Sequence, residues 1–186
     1  MSSQRIPEWA RRGRIGWRFT GGEKPPFAQP ARAGQESVWD YPRPPIIDPD
    51  DREVVVRLGP VLIARSQRAV RVLETGSPPT FYLPPEDVEI GCLESAPATS
   101  RCEWKGEARY WTVVAGDRRL DQAAWSYPNP FPEFEAIAGF FSFYPGRLDC
   151  TVGGVRVRPQ PGSFYGGWVT PEIVGPFKGE PGSESW

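Results

Sequence analysis

The sequence predicts a mainly β protein with a single domain, and three observations point that way. Proline (23) and glycine (20) are about twice as frequent as in an average chain, so long helices are interrupted throughout. Short β-branched runs alternate with charged residues, and Gly59-Pro60, Gly116-Asp117 and Gly153-Gly154 separate such runs at hairpin spacing. Eight Trp, six Tyr and ten Phe supply large apolar groups for a core. A chain of 186 residues can bury about two-thirds of its unfolded surface. The expected organisation is a β domain over residues 37–158, an N-terminal arm over 1–36 and a Gly/Pro-rich extension over 159–186, the arms wrapped around the domain.

In chain order, residues 1–36 show no sustained period, and residues 37–50 carry five prolines, which leave few backbone donors for a ladder. Residues 1–36 are expected to form a leading arm, and 37–50 an extended wrapping segment. Glu53–Leu58 and Val61–Arg65 read as hairpin partners, followed by a strand over Ala69–Glu74 in which Arg71 points away from the apolar face. Thr75–Pro79 breaks the chain, and Thr80–Leu83 is a short strand. Pro84–Val88 can start one helical turn, with proline first and acids near its positive end. Residues 91–108 read as a loop, and 108–115 and 118–125 as a hairpin. Glu133–Ala138 is the best helix candidate, with Phe134, Ile137 and Ala138 on one face. Residues 140–144, 148–152 and 155–157 complete the strands.

Composition excludes several chemistries. There is no histidine, so Ser-His-Asp, Cys-His and His-ligated zinc mechanisms are impossible. Cys92, Cys102 and Cys150 have no Cys-x-x-Cys spacing, so neither a disulfide scaffold nor a metal site is expected; buried thiols in a reducing cytoplasm fit better. No cofactor is expected. No run of about 18 apolar residues exists and no apolar run follows Arg11-Arg12, so no membrane span or signal peptide is read. Net charge is −1. Residues 1–24 carry +4 from Arg5, Arg11, Arg12, Arg14, Arg18 and Lys24 against Glu8 and Glu23. Such an arm could hold an anionic partner or pack Trp9, Trp17 and Phe19 on the domain; six bases is a small footprint, and nucleic acid is not the expected partner. Exposed aromatics in the flanks leave a homodimer open.

Phosphate-loop glycine motifs are absent, and Asp48-Pro49-Asp50, nominally an Asp-x-Asp pair, lies in a proline-rich stretch rather than on a core strand. More telling is Trp125-Ser126-Tyr127-Pro128. In extended backbone Trp125 and Tyr127 project to one face, making a wall for flat rings or cations, or ordinary core packing. Glu74 ends a strand before Gly76, and Lys105 sits between Trp104 and Gly106, positions where side chains converge on clefts. Together these would make an aromatic pocket with one acid and one base for a small polar ligand; the alternative is two solvated charges. An enzyme using Glu74 and Lys105 as acid and base is a second reading. A weak internal echo is also present. Trp39–Pro42 echoes Trp125–Pro128, Phe177-Lys178-Gly179 echoes Trp104-Lys105-Gly106, and Phe164–Gly167 echoes Phe143–Gly146, either by chance or as the remnant of a second copy.

Four strings in order resemble domain-of-unknown-function family 427, over about residues 52–158. They are Leu73-Glu74-Thr75-Gly76 with Pro78-Pro79, Phe81-Tyr82 and Glu86-Asp87-Val88; Cys102-x-Trp104-Lys105-Gly106-x-Ala108-x-Tyr110; Ala124-Trp125-Ser126-Tyr127-Pro128-x-Pro130; and Ile137-x-Gly139-x-x-x-Phe143-Tyr144. The resemblance implies a β-tent-like fold of two antiparallel sheets with one short helix. It also implies an aromatic cage of Trp125, Tyr127, Tyr82 and Tyr144, with Glu74 and Lys105 as its polar part. The four zinc cysteines of β-tent relatives cannot form here, and Ser77 stands where many members have histidine. The family is also labelled nucleotidyltransferase-like, a chemistry that no residue in this sequence supports.

Overall fold

A computed structural model of the chain describes residues 6–184 and 186. One α-helix, α1 (Glu8–Ile15), precedes fifteen strands: β1 (Glu36–Ser37), β2 (Ile46–Asp50), β3 (Val54–Leu58), β4 (Val61–Ser66), β5 (Ala69–Glu74), β6 (Ser77–Tyr82), β7 (Leu93–Cys102), β8 (Gly106–Ala115), β9 (Arg118–Ser126), β10 (Phe141–Phe143), β11 (Asp149–Val152), β12 (Val155–Arg156), β13 (Arg158–Pro159), β14 (Trp168–Val169) and β15 (Ile173–Val174). The mainly β class holds. The described strands form three larger antiparallel sheets, ordered β10-β9-β8-β7, β12-β11-β3-β4 and β2-β5-β6, where two were expected. Two short pairs, β13-β14 and the parallel β1-β15, add the flanks to the fold.

Alternation builds the main core. Val54, Val56 and Leu58 of β3 are buried while Val55 and Arg57 are half-exposed, the period of two that one buried face requires. They meet Val113, Ala123 and Phe143 from the opposite sheet, and Phe81, Leu83 and Trp168 close the cluster. Trp168 comes from the C-terminal extension, is fully buried, and donates its indole N–H to the Phe143 carbonyl at 3.0 Å. A second cluster of Val72, Tyr82, Trp104, Trp125, Tyr127 and Phe134 fills the space between β5-β6 and the ends of β8 and β9. A third, around Val38, Trp39 and Leu73, is roofed by Phe19, Phe177 and Trp186 from the two ends of the chain.

Several expectations are corrected. Residues 93–102 are a strand rather than a loop: β7 pairs with β8 at Leu93–Ser95 and Thr99–Cys102, with a register shift between Ser95 and Thr99 that accommodates Pro97. Residues 46–50 are an edge strand, with Pro49 opposite Val70, because an edge leaves one side of the backbone without a ladder to donate to. Pro78 and Pro79 lie inside β6, so the chain break shrinks to the turn at Thr75–Gly76 between paired Glu74 and Ser77. The α-helix falls in the segment read as an arm without a sustained period. Pro132–Ile137 is a 3-10 turn broken at Phe134; it buries Phe134 and Ile137 but leaves Ala138 exposed.

Candidate functional site

The six residues singled out in the sequence all stand at or next to strand ends. Glu74 closes β5, Tyr82 closes β6, Lys105 lies in the β7–β8 turn, Trp125 and Tyr127 lie at the end of β9, and Tyr144 follows β10. All six line one cavity of about 180 Å³. Trp125 and Tyr127 face it together, while the intervening Ser126 turns away to accept the Trp111 indole N–H at 2.9 Å. The flanks complete the wall with Trp17, Phe164, Tyr165 and Lys178, none of which the sequence placed there. For Lys178 the echo with Lys105 was a usable signal. Gly106 and Gly179 share a left-handed backbone (φ 101° and 100°), and the lysine before each is buried and faces this cavity.

The rings are braced. Trp125 is only 7% exposed; Tyr144 lies 4.6 Å from it, and its indole N–H donates to the Tyr82 hydroxyl at 3.4 Å. The Gly166 backbone presses on the same ring so closely that a Cβ there would overlap it. Trp125 is therefore both core and wall. Burial pushes the Tyr82 phenol up to about 12 and the Tyr127 phenol well above its ordinary value, so both hydroxyls are neutral donors near neutral pH.

The two charges singled out face the same cavity but form no ion pair with each other. Glu74 is held by Arg43, whose Nε and Nη2 donate to it at 3.3 and 3.2 Å. Arg43 also donates to the carbonyls of Phe19 (2.6 Å) and Thr75 (2.9 Å) and stacks 3.8 Å from the Trp17 ring. Lys105 is 8% exposed and makes no salt bridge with any described residue; its ammonium lies 5.9 Å from the Tyr127 ring and 5.7 Å from that of Phe134. Burial pulls its pKa down, but Cys102, Tyr82 and Glu74 outweigh burial and leave it above the usual lysine value. Glu103 accepts the Trp17 indole N–H at 2.9 Å, and Lys178 donates to the Trp186 carbonyl at 3.0 Å.

The basic arm has few charges to spare. Arg5 lies outside the described residues. Arg11 and Arg12 pair with Glu8, Arg14 with Glu133, and Lys24 with Asp40, while Trp9 packs on Phe131 and Phe19 on Trp39. Asp48 is bound by Arg71, and Asp50 by Arg52 at 2.6 Å, so the Asp-x-Asp pair is tied to arginines. Among the described residues, no three His, Cys, Asp or Glu side chains gather into a metal-holding group, and all three cysteines are free. No helix among them is long and apolar enough to cross a membrane.

The family model described as Domain of unknown function (DUF427), with the short label NTP_transf_9, matches residues 46–154, more than half of the chain. The chain belongs to the DUF427 family. No curated protein matches it. The DUF427 match contains the six singled-out residues; Trp17, Phe164, Tyr165 and Lys178 lie outside it, so the flanks finish a cavity that the DUF427 segment begins.

Proposed function

We propose that the protein is a small-molecule binding module whose ligand is a flat, single-ring compound held in the aromatic cavity. The observation carrying this reading is the convergence of six strand-end side chains, four of them aromatic, on one cavity of about 180 Å³. An apolar cavity of about 150 Å³ accommodates benzene, so a ring of that size matches the space. The polar groups in the wall would fix orientation, as in most small-ligand sites. Glu74 is already committed to Arg43 within the fold, which supports a wall that binds a ligand.

The test is a thermal-shift screen against one- and two-ring heterocycles, nucleosides and quaternary ammonium compounds. Saturation at 100 times Kd adds about 2.7 kcal/mol, a readily seen shift. Thr80 lines the cavity and is partly exposed, so Thr80→Phe should fill the space and leave the fold intact. Hits that Thr80→Phe abolishes are the expected result. An empty screen, or hits indifferent to the substitution, would contradict the reading.

A further inference from the structure

We propose that the ligand carries one acidic group, a carboxylate or a phosphate monoester, and that Lys105 is the residue that holds it. The proposal rests on the ring-binding reading above and adds the charge of the ligand. Lys105 is more than nine-tenths buried, faces the cavity and has no carboxylate partner among the described residues. An isolated ammonium taken out of water is strongly disfavoured, and a chain keeps one only where something compensates it. The neighbouring charges are already matched. The two carboxylates of the cavity wall, Glu74 and Glu103, are engaged by Arg43 and by the Trp17 indole, and Lys178 is bonded to the Trp186 carbonyl. Cys102, Tyr82 and Glu74 favour its charged form without a carboxylate touching it, and the faces of Tyr127 and Phe134, both beyond 5.5 Å, add weak relief. Arg101, also in the wall, is paired with Glu107 at 4.0 Å. Trp17, Glu103, Tyr165 and Lys178 also line an adjoining groove of about 520 Å³, which leaves room for a substituent leading outward.

The experiment compares Kd values at pH 7 for benzoate, phenyl phosphate and the neutral benzamide, on the wild type, Lys105→Met and Lys105→Arg. At least one anion should bind the wild type tenfold or more tighter than benzamide, and the stronger of the two identifies the acidic group. Lys105→Met should abolish that preference and Lys105→Arg should keep it. Equal affinities for anion and amide in the wild type would overturn the proposal while leaving the ring-binding reading standing, and that comparison needs no variant to fold. An anion preference that survives in Lys105→Met would overturn it as well. If no probe binds, both readings fall together.

Discussion

Single residues carry distinct kinds of stress in this molecule. Gln122 is the one described non-glycine residue with positive φ (52°); it sits where the β8–β9 register shifts between Trp111 and Val113. A left-handed residue with a Cβ costs about 1–2 kcal/mol, so Gln122→Gly should stabilise the protein by about 1 kcal/mol in urea unfolding. Trp125 is braced by Tyr144, Tyr82 and Gly166, so Trp125→Ala should cost about 3–5 kcal/mol and is a poor probe of binding. Asp50 is partly desolvated, which alone would raise its carboxyl, but hydrogen bonds from Arg52 and the charge of Arg71 outweigh that and hold it below the ordinary aspartate value. Its contribution is therefore present above the unfolded value near 3.8 and is lost as pH falls through the lower folded value. Asp50→Asn should flatten the acid limb of the stability–pH curve below about pH 4, read by thermal melts. Four positions of the candidate cavity, Glu74, Lys105, Trp125 and Tyr127, were legible from residue type and position, and Tyr82 and Tyr144 from the family resemblance. Trp17 was not, because nothing local in an Arg- and Gly-rich arm says which surface its ring will find.

Elements were legible wherever hydrophobic period decided them. The strands at 54–58, 61–66, 69–74, 106–115 and 118–126 all follow alternation or turn dipeptides. β7 was missed because Leu93–Cys102 exposes polar side chains on both faces, and its pairing with β8 decides what its own residues leave open. β2 was missed because Pro49 argues against a strand, an argument that fails at an edge. α1 carried its signals in Glu8 in the first turn and Arg12 and Arg14 in the last, obscured by its eight-residue length and by Gly13, which packs against Glu103. Removing residues 1–16 strips Trp9 from Phe131 and the Arg14 hydrogen bond from the Glu103 carbonyl. The loss should be about 2 kcal/mol, seen as a lower urea midpoint with the same β signature in circular dichroism.

The whole molecule differs from its family segment in where the core ends. Val38, Trp39, Val157 and Trp168 are all buried and all lie outside residues 46–154. A fragment of residues 46–154 should therefore fail to give a cooperative melt, whereas the full chain melts as one unit. The arms were read as wrappings from composition; that the C-terminal one buries Trp168 in the core was not legible, because Gly/Pro-rich sequence hides long-range packing. The same burial shapes the alkaline behaviour. Tyr41, Tyr82, Tyr127, Tyr144 and Tyr165 all have phenols raised chiefly by burial, with Tyr82 near 12. Folding thus favours their neutral form, a contribution fully present below pH 10 and lost as pH rises through the folded values. Most of the 295 nm tyrosinate absorbance should stay absent at pH 10 in the native protein and emerge on adding guanidinium. The claim that joins these scales is that the cavity at the strand ends is a ring-binding site. Its most direct test is the intermolecular NOE spectrum of the protein saturated with the tightest single-ring compound from the screen. The account predicts contacts from the ligand ring to the side chains of Tyr82, Tyr127 and Tyr144. Contacts confined to exposed aromatics such as Phe27 on the outer surface, with none to those three tyrosines, would contradict it.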